Sequence, residues 1–387
     1  MDHLPRTTAE KRLSENRFSG RLPGNRASMD NSRGGSRLLA VRLDSAGDVL
    51  LAGPAVRAMA ARGTVDLLTG PAGADAARLL PGVDEVHTWS CPWIVADPPA
   101  VDPASTDALV TMLAGRYDHA VVFTSFHQSA LPTALLLRLA GVRRISAFSE
   151  DYPGSLLDDR VAPPGDVPEA ERALHLATQA GFALPVGDDG LLSVRTAAAP
   201  EGLDRGRFVV VHPGTSAPAR AWPAQRWRDC VRALDEAGHR VLVSGSPSER
   251  ELTAVVAGSR GVDLGGRTTL AQLAALLSRA DALVVANTGP AHLAAATRTP
   301  VVSLFAPTVP LRRWAPYGVP LAVLGEQQAP CRGTRAVQCP VPNHPCLGSV
   351  TATDVVEALE ELLRRTNGGG TSSAATNPPP RKNEVHA

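Results

Sequence analysis

Lysine is nearly missing from this 387-residue chain; it occurs only at Lys11 and Lys382, close to the two ends. Arginine therefore supplies the interior positive charge. The 39 basic residues almost cancel the 38 acidic ones, for a formal charge of +1. That balance excludes both the basic surface of a nucleic-acid binder and a disordered acidic chain. Cysteine is also scarce: Cys91, Cys230, Cys331, Cys339 and Cys346 make an odd set of five. A chain this long can bury its own core, so a reducing compartment suits it better than a disulfide framework. No run approaches the roughly 18 consecutive apolar residues of a membrane span. The opening segment, MDHLPRTTAEKRLSENRFSG, has no apolar signal core. These absences predict a soluble, cytoplasmic protein. What is abundant is Ala, with 34 Gly and 33 Pro; beside the arginine bias this reads as GC-rich coding, so those counts carry little functional weight.

Hydrophobic residues at 44% and charged residues at 20% are ordinary for a globular protein, and the length suits two domains. Residues 1–36 and 367–387 lack any hydrophobic period and predict disordered tails. Between them β-like runs alternate with Ala/Leu-rich helical runs, the pattern of parallel α/β sheets. Strands are expected at Leu38–Leu43, Val65–Thr69, Glu85–Trp89, Asp118–Phe123 and Arg143–Phe148, with helices near 49–62, 107–115, 129–140 and 169–181. A Pro/Gly/Ala-rich passage near 197–206 breaks the rhythm and separates a domain at 37–198 from one at 199–366. The second domain restarts with strands at Phe208–His212, Arg240–Ser244, Val262–Leu264, Ala282–Ala286, Val301–Phe305 and Leu321–Leu324. Its helices are expected near 223–238 (with Pro223 in the first turn), 248–257, 270–279, 290–297 and 351–365. Two doubly wound domains bind ligands beyond the carboxyl ends of their strands, so the strand-to-helix loops should carry the chemistry.

Four segments are candidates. In Arg42-Leu43-Asp44-Ser45-Ala46-Gly47-Asp48, Gly47 permits a tight turn, and Asp48 sits where either a helix N-cap or a general base at a cleft mouth belongs. The loop fits neither the G-x-G-x-x-G dinucleotide fingerprint nor the G-x-x-x-x-G-K-[ST] phosphate loop. In His212-Pro213-Gly214-Thr215-Ser216-Ala217-Pro218-Ala219-Arg220, free N–H groups, two hydroxyls and an arginine would suit an anion such as a diphosphate, or form an ordinary surface loop. Asn287-Thr288-Gly289-Pro290-Ala291-His292 is a second anion-friendly strand end, with His292 two residues into the expected helix. Cys331, Cys339 and Cys346, with His344 nearby, have enough ligands for zinc but lack C-x-x-C pairs, and no metal is expected there. Cys91 and Cys230 read as core thiols.

Together RLDSAGDVLLAGP, HPGTSAPARAWP and DLGGRTTLAQLAALLSRADALVVANTGPAHLAAATRTPVVSLFAPT resemble glycosyltransferase family 9, the ADP-heptose:lipopolysaccharide heptosyltransferases, over roughly residues 38–365. The resemblance implies a GT-B fold: two Rossmann-like domains across a cleft, the first for the acceptor and the second for the nucleotide-sugar, with no catalytic metal. It implies that Asp48 is the general base of an inverting displacement and that Arg220 lies beside the donor diphosphate. Thr215 and Ser216 would contact phosphate, Glu249 the ribose, and Thr288, Gly289 and His292 would wrap the phosphates and sugar. Asn287 departs from the family's Asp before Thr-Gly: it keeps hydrogen bonding and loses the charge, which bears on which sugar is bound.

The expected function is thus inverting, metal-independent transfer of heptose from ADP-heptose to a glycan or glycolipid in cell-envelope polysaccharide synthesis. No cofactor and no nucleic-acid partner are implied, and contact with the inner membrane would be peripheral, through a lipid-linked acceptor. The alternatives are a nucleotide-sugar epimerase on the same fold, for which Asp48 alone is too small an acid/base set, and a non-catalytic binding or scaffold protein.

Overall fold

The computed structural model describes residues 35–95, 98–203 and 206–367. The expected tails lie outside the described residues apart from Gly35, Ser36 and Asn367; Ser36 opens the first strand and Asn367 closes the last helix. The first half runs β1 (Ser36–Arg42), α1 (Ala46–Leu51), α2 (Gly53–Ala60), β2 (Gly63–Thr69), α3 (Ala74–Leu79), β3 (Val83–Thr88), α4 (Pro103–Leu113), β4 (His119–Val122), α5 (Leu131–Leu139), β5 (Arg144–Phe148), β6 (Asp159–Val161) and α6 (Glu169–Gln179). The second half runs β7 (Val209–His212), α7 (Ala224–Glu236), β8 (Val241–Gly245), α8 (Arg250–Ala257), β9 (Val262–Gly265), α9 (Leu270–Leu277), β10 (Ala282–Ala286), α10 (Gly289–Ala296), β11 (Val301–Leu304), α11 (Leu311–Trp314), β12 (Leu321–Leu324), α12 (Pro345–Gly348) and α13 (Ala352–Asn367).

Each half holds a six-stranded sheet, ordered β3-β2-β1-β4-β5-β6 in the first and β9-β8-β7-β10-β11-β12 in the second. Every strand pair is parallel. The two orders are the same once the second sheet is counted from its own first strand. Strand order reverses between β1 and β4 and again between β7 and β10, and at such switch points the loops splay apart and leave a crevice. The sequence explains why these strands are central. HAVV, VVVH and ALVVA are buried at every position, as strands covered by helices on both faces must be. In α13, Val355, Leu359 and Leu362 are fully buried at helical spacing, in one cluster with Trp227 and Cys230 of α7. Another apolar cluster runs through both halves, from Val49 and Val56 to Leu293 and Ala294.

Several expectations change in detail. The helix expected over 49–62 starts earlier and divides at Ala52, ahead of Gly53 and Pro54, whose ring nitrogen has no proton to donate. Pro223 is the N-cap of α7 and not part of its first turn. The helix α10 begins at Gly289, so His292 is its fourth residue. The short elements α3, β6, α11 and α12 had no sequence signal.

Between α6 and β7 the described residues form neither helix nor strand. Arg57 of α2 holds Asp188 there, with Nε and Nη2 each donating at 2.7 Å, and also donates to Leu191 O at 2.9 Å. Arg298, after α10, donates to the next carboxylate, Asp189, at 3.0 Å and to Leu192 O at 2.8 Å.

Under the first sheet Asp66 is 1% exposed, and its Oδ2 accepts from Tyr117 Oη and Arg37 Nη2, each at 2.7 Å. Asp66, Glu85 and His87 each offer one ligand atom within 4.8 Å of the others. Both carboxylates are already matched, Glu85 by Arg116 at 2.8 Å and Asp66 by Arg37, which marks a structural ion-pair network. Asp66→Ala leaves the buried Tyr117 hydroxyl with His87 Nε2 alone, at 2.9 Å, removes the carboxylate that Arg37 pairs with, and is expected to cost about 2 kcal/mol, read as a lower urea midpoint at unchanged slope.

Candidate active site

The loops after β1 and β4 in one half, and after β7 and β10 in the other, converge because α1 packs directly on α10. Gly47 makes the approach possible: a Cβ there would lie 2.9 Å from His292 Cδ2 and 3.4 Å from Gly289 Cα. The first turns of the two helices thus meet, and their unpaired N–H groups give this region a positive character.

Asp48 lies within the first turn of α1, while the N-cap position belongs to Ser45, so the cap reading of Asp48 is incorrect. The helix starts earlier than the Ala-Gly pair suggested. The Ser45 hydroxyl instead donates to Asp48 Oδ2 at 2.8 Å, and Arg42 Nη2 donates to Oδ1 at 3.0 Å. Trp314 Nε1, from α11 of the opposite half, lies 3.4 Å from Oδ1. Burial works against the charge on Asp48, but Arg42, Ser45 and Trp314 together hold the carboxyl below its ordinary range. The side chain keeps 17% of its surface exposed, and Oδ2 retains room for another donor.

Arg42 is itself buried, and its Nη2 also lies 2.9 Å from Asp44 Oδ2 and donates to Ser125 Oγ at 2.9 Å. The Ser125 hydroxyl donates to Asp44 Oδ2 at 2.9 Å and Gln128 Nε2 to Asp44 Oδ1 at 2.7 Å. Arg172 of α6 donates to Thr124 O and stacks 4.3 Å from the Phe148 ring. The Thr124–Ser129 segment, which carries no motif, is thereby fastened to the loop that carries Asp48.

Across the cleft, Arg220 is largely buried and underused. Its Nη1 donates to Asn287 O at a long 3.4 Å, and its Nε is buried without a partner. Burial pushes its guanidinium below the ordinary range, while Asp48 acts in the opposite direction. His292 is buried with Nδ1 unpartnered, and burial pushes it down to about 4 against the pull of Asp48, so the ring is neutral at pH 7. Thr288 is the N-cap of α10 but its hydroxyl makes no capping bond, and Gly289 opens the helix beside it. Thr215 Oγ1 accepts from Ala217 N at 3.3 Å, and Ser216 is exposed. Glu249 closes a capping box with Ser246, accepting from Ser246 N at 2.7 Å. A Cβ on Gly214 would fall 1.9 Å from Glu249 Oε1, so the glycine is what admits this carboxylate to the end of β7.

The side chain of Asn287 turns onto β11's exit: Nδ2 donates to Ala306 O and Oδ1 accepts from Ala306 N, both at 3.4 Å. An amide supplies both the donor and the acceptor that this peptide pairing needs; a carboxylate supplies only the acceptor. The departure from Asp thus has a local partner.

Sequence reasoning placed Arg42 and Asp44 in a candidate loop without giving them a role, and missed Trp314 and the groups around it. Phe126, 41% exposed, faces Trp314 at 5.6 Å between ring centroids, with the Arg313 guanidinium 4.7 Å from its ring. Arg335 pairs with His127 across the same cleft. Trp314 is 266 positions from Asp48, and no local pattern could have joined them.

Cys331 and Cys346 are buried, and burial with the neighbouring thiols pushes Cys346 up to about 11. His344 Nε2 pairs with Ala219 O at 3.1 Å, and Cys339 Sγ with Val341 O at 3.3 Å, so these groups are engaged with backbone. Because Ala219 N also donates to Val337 O at 2.8 Å, the segment forms a back wall for the Arg220 loop. Cys91 and Cys230 are buried, with thiols pushed up to about 12, as core thiols should be.

Two like-wound α/β halves thus present a carboxylate and an underused arginine at facing switch points. Residues 108–344 match glycosyltransferase family 9 (heptosyltransferase). Lipopolysaccharide heptosyltransferase 1 of Pseudomonas aeruginosa is 30% identical over 304 residues, covering 71% of this chain and 79% of that one. The ADP-heptose lipopolysaccharide heptosyltransferase II structure from Escherichia coli superposes with a TM-score of 0.65 at 21% identity, over 86% of this chain and 99% of that one. The E. coli heptosyltransferase WaaC with ADP-2-deoxy-2-fluoro heptose gives 0.61 at 22%, over 84% and 99%. The chain belongs to glycosyltransferase family 9, has the GT-B fold and is a glycosyltransferase.

Proposed function

We propose that this glycosyltransferase moves heptose from ADP-heptose, with inversion and without a catalytic metal, to a saccharide or glycolipid acceptor of the cell envelope. The names of its relatives support the sugar and the acceptor class, and the ADP-sugar analogue bound to one neighbour supports the donor. The observation that carries the reading is Asp48 facing Arg220 across one cleft, an anchored carboxylate opposite a buried cation with an unpartnered Nε. The acceptor hydroxyl forms its bond to the anomeric carbon while the bond to the diphosphate oxygen breaks. The hydroxyl proton passes to Asp48, and the charge gathering on ADP meets Arg220 and the α10 terminus at Thr288 and Gly289. A weak base suits this step, because the hydroxyl becomes acidic only as its new bond forms. Thr215 and Ser216 would take phosphate oxygens, Glu249 the ribose hydroxyls, and His292 the donor from beneath. Asn287 would act through the peptide wall it braces.

In this reading residues 37–198 receive the acceptor and 199–366 the donor. No helix among the described residues is long and apolar enough to cross a membrane, and a lipid-linked acceptor would be met peripherally at the inner face. Thermal unfolding with ADP, GDP, UDP and their sugars tests the donor. At a hundredfold excess over Kd, ADP and ADP-heptose should stabilise the protein by about 2.7 kcal/mol. Stabilisation by GDP- or UDP-sugars alone would overturn the assignment of ADP-heptose, and no response to any nucleotide would favour the scaffold alternative.

A further inference from the structure

We infer that Arg42 is a positioning residue for Asp48, and that Asp44, pinned by Ser125 and Gln128, divides Arg42's charge between the two carboxylates. The inference rests on the reading of Asp48 as the base.

A buried arginine shared by two carboxylates is a costly way to stabilise a fold, since apolar side chains of similar volume often do as well. Here three acceptors crowd one nitrogen: Asp44 Oδ2 at 2.9 Å, Asp48 Oδ1 at 3.0 Å and Ser125 Oγ at 2.9 Å. Nη2 carries two hydrogens, so no acceptor has it alone. Asp44 cannot swing aside, because Gln128 Nε2 and the Ser125 hydroxyl take one oxygen each. Gln128 is fixed in turn, its Oε1 accepting from Ser125 N at 2.9 Å. The Asp48 carboxylate is thus held at one place by a cation whose field it only partly receives. Were Arg42 committed wholly to Asp48, the carboxylate would stay ionised to lower pH and take a proton less readily.

The other groups facing Asp48 are Ser45 from its own loop, Glu169 from α6, paired there with Arg172, and His127 after β4. From the second half come Arg220, His292 and Trp314, with Arg313 beside Glu169 and Arg335 beside His127 and Arg220. They stay the same in every variant below, so differences between variants report on Arg42 and Asp44.

The test is ADP release from ADP-heptose with heptose-deficient lipopolysaccharide as acceptor, followed as kcat/KM against pH. Asp44→Asn, by giving Asp48 all of Arg42's charge, should move the acid limb down by about one pH unit and lower the plateau about tenfold. Arg42→Met should move the limb up by a similar amount and still lower the plateau, because the carboxylate is no longer held in place. Arg42→Lys should bring the limb back toward its original pH without fully recovering the plateau, because lysine's nitrogen sits on a shorter stem and falls short of the point where Nη2 meets all three acceptors. Kd for ADP should be unchanged throughout, which a general loss of structure would not allow. Acid limbs that stay put, or that move in the same direction in Asp44→Asn and Arg42→Met, would overturn the inference. If Arg42→Met does not fold, an unmoved limb in Asp44→Asn overturns it alone. Asp48→Asn separates the two readings: if that variant stays active, the base assignment fails and this inference with it. If it is inactive while the limbs do not move, only this inference fails.

Discussion

Asp48→Asn should lower kcat by about 10²–10⁴-fold while Kd for ADP changes little. Asn occupies the same volume and can still accept from Ser45 or Arg42, but it has no lone pair basic enough to take the acceptor's proton. Arg42 keeps Asp44 as an ionic partner at 2.9 Å, so the buried cation is not abandoned and the fold should survive. Single-turnover ADP release, with ADP titration calorimetry on the same preparation, separates the chemical step from binding. A variant that turns over at the original rate would leave the proposed base idle and remove the mechanism.

Arg220→Met should lower kcat by about 10²–10³-fold and weaken ADP binding, because the fixed positive charge meeting the leaving diphosphate is gone. Its effect on stability should have the opposite sign. Arg220 has a buried Nε without a partner and one long bond at 3.4 Å, so the guanidinium is held there at a desolvation cost. Methionine removes that cost, and the melting temperature without nucleotide should hold or rise. A residue that only supported the loop would show the reverse, a lower melting temperature with activity falling in proportion. Arg220→Lys should recover part of the ADP affinity and less of the rate, since a lysine offers a point charge where a planar fork stood.

The loops that carry Asp48, Arg220 and His292 were legible because each follows an apolar strand and precedes a helix, and hydrophobic period records both. The central strands were legible for the same reason: VVVH and ALVVA are too apolar to lie anywhere but between two layers of helices. What stayed hidden depends on distance along the chain. Ser125 meets Arg42 across 83 positions, through the pairing of β4 with β1. The start of α1 was misplaced because Ala46 and Gly47 give little local reason for a helix; the packing of α1 against α10 supplies it, and tertiary contact overrides propensity. The short α11 is four residues, less than a nucleated helix needs by itself, yet it delivers Trp314 to the carboxylate. Asn287 was visible as a departure, while its pairing with Ala306 required the fold.

The grip on Asp188 and Asp189 fastens the connection to both halves. Neighbouring residues are seized from opposite sides, one by Arg57 of the first half and the next by Arg298 of the second. The connection is thus tethered over two adjacent residues to α2 of the first half and to the turn after α10 in the second. Under the proposed function, a rotation about that point would part His292 from Gly47 and Trp314 from Asp48 together, and entry of the acceptor would be coupled to release of ADP.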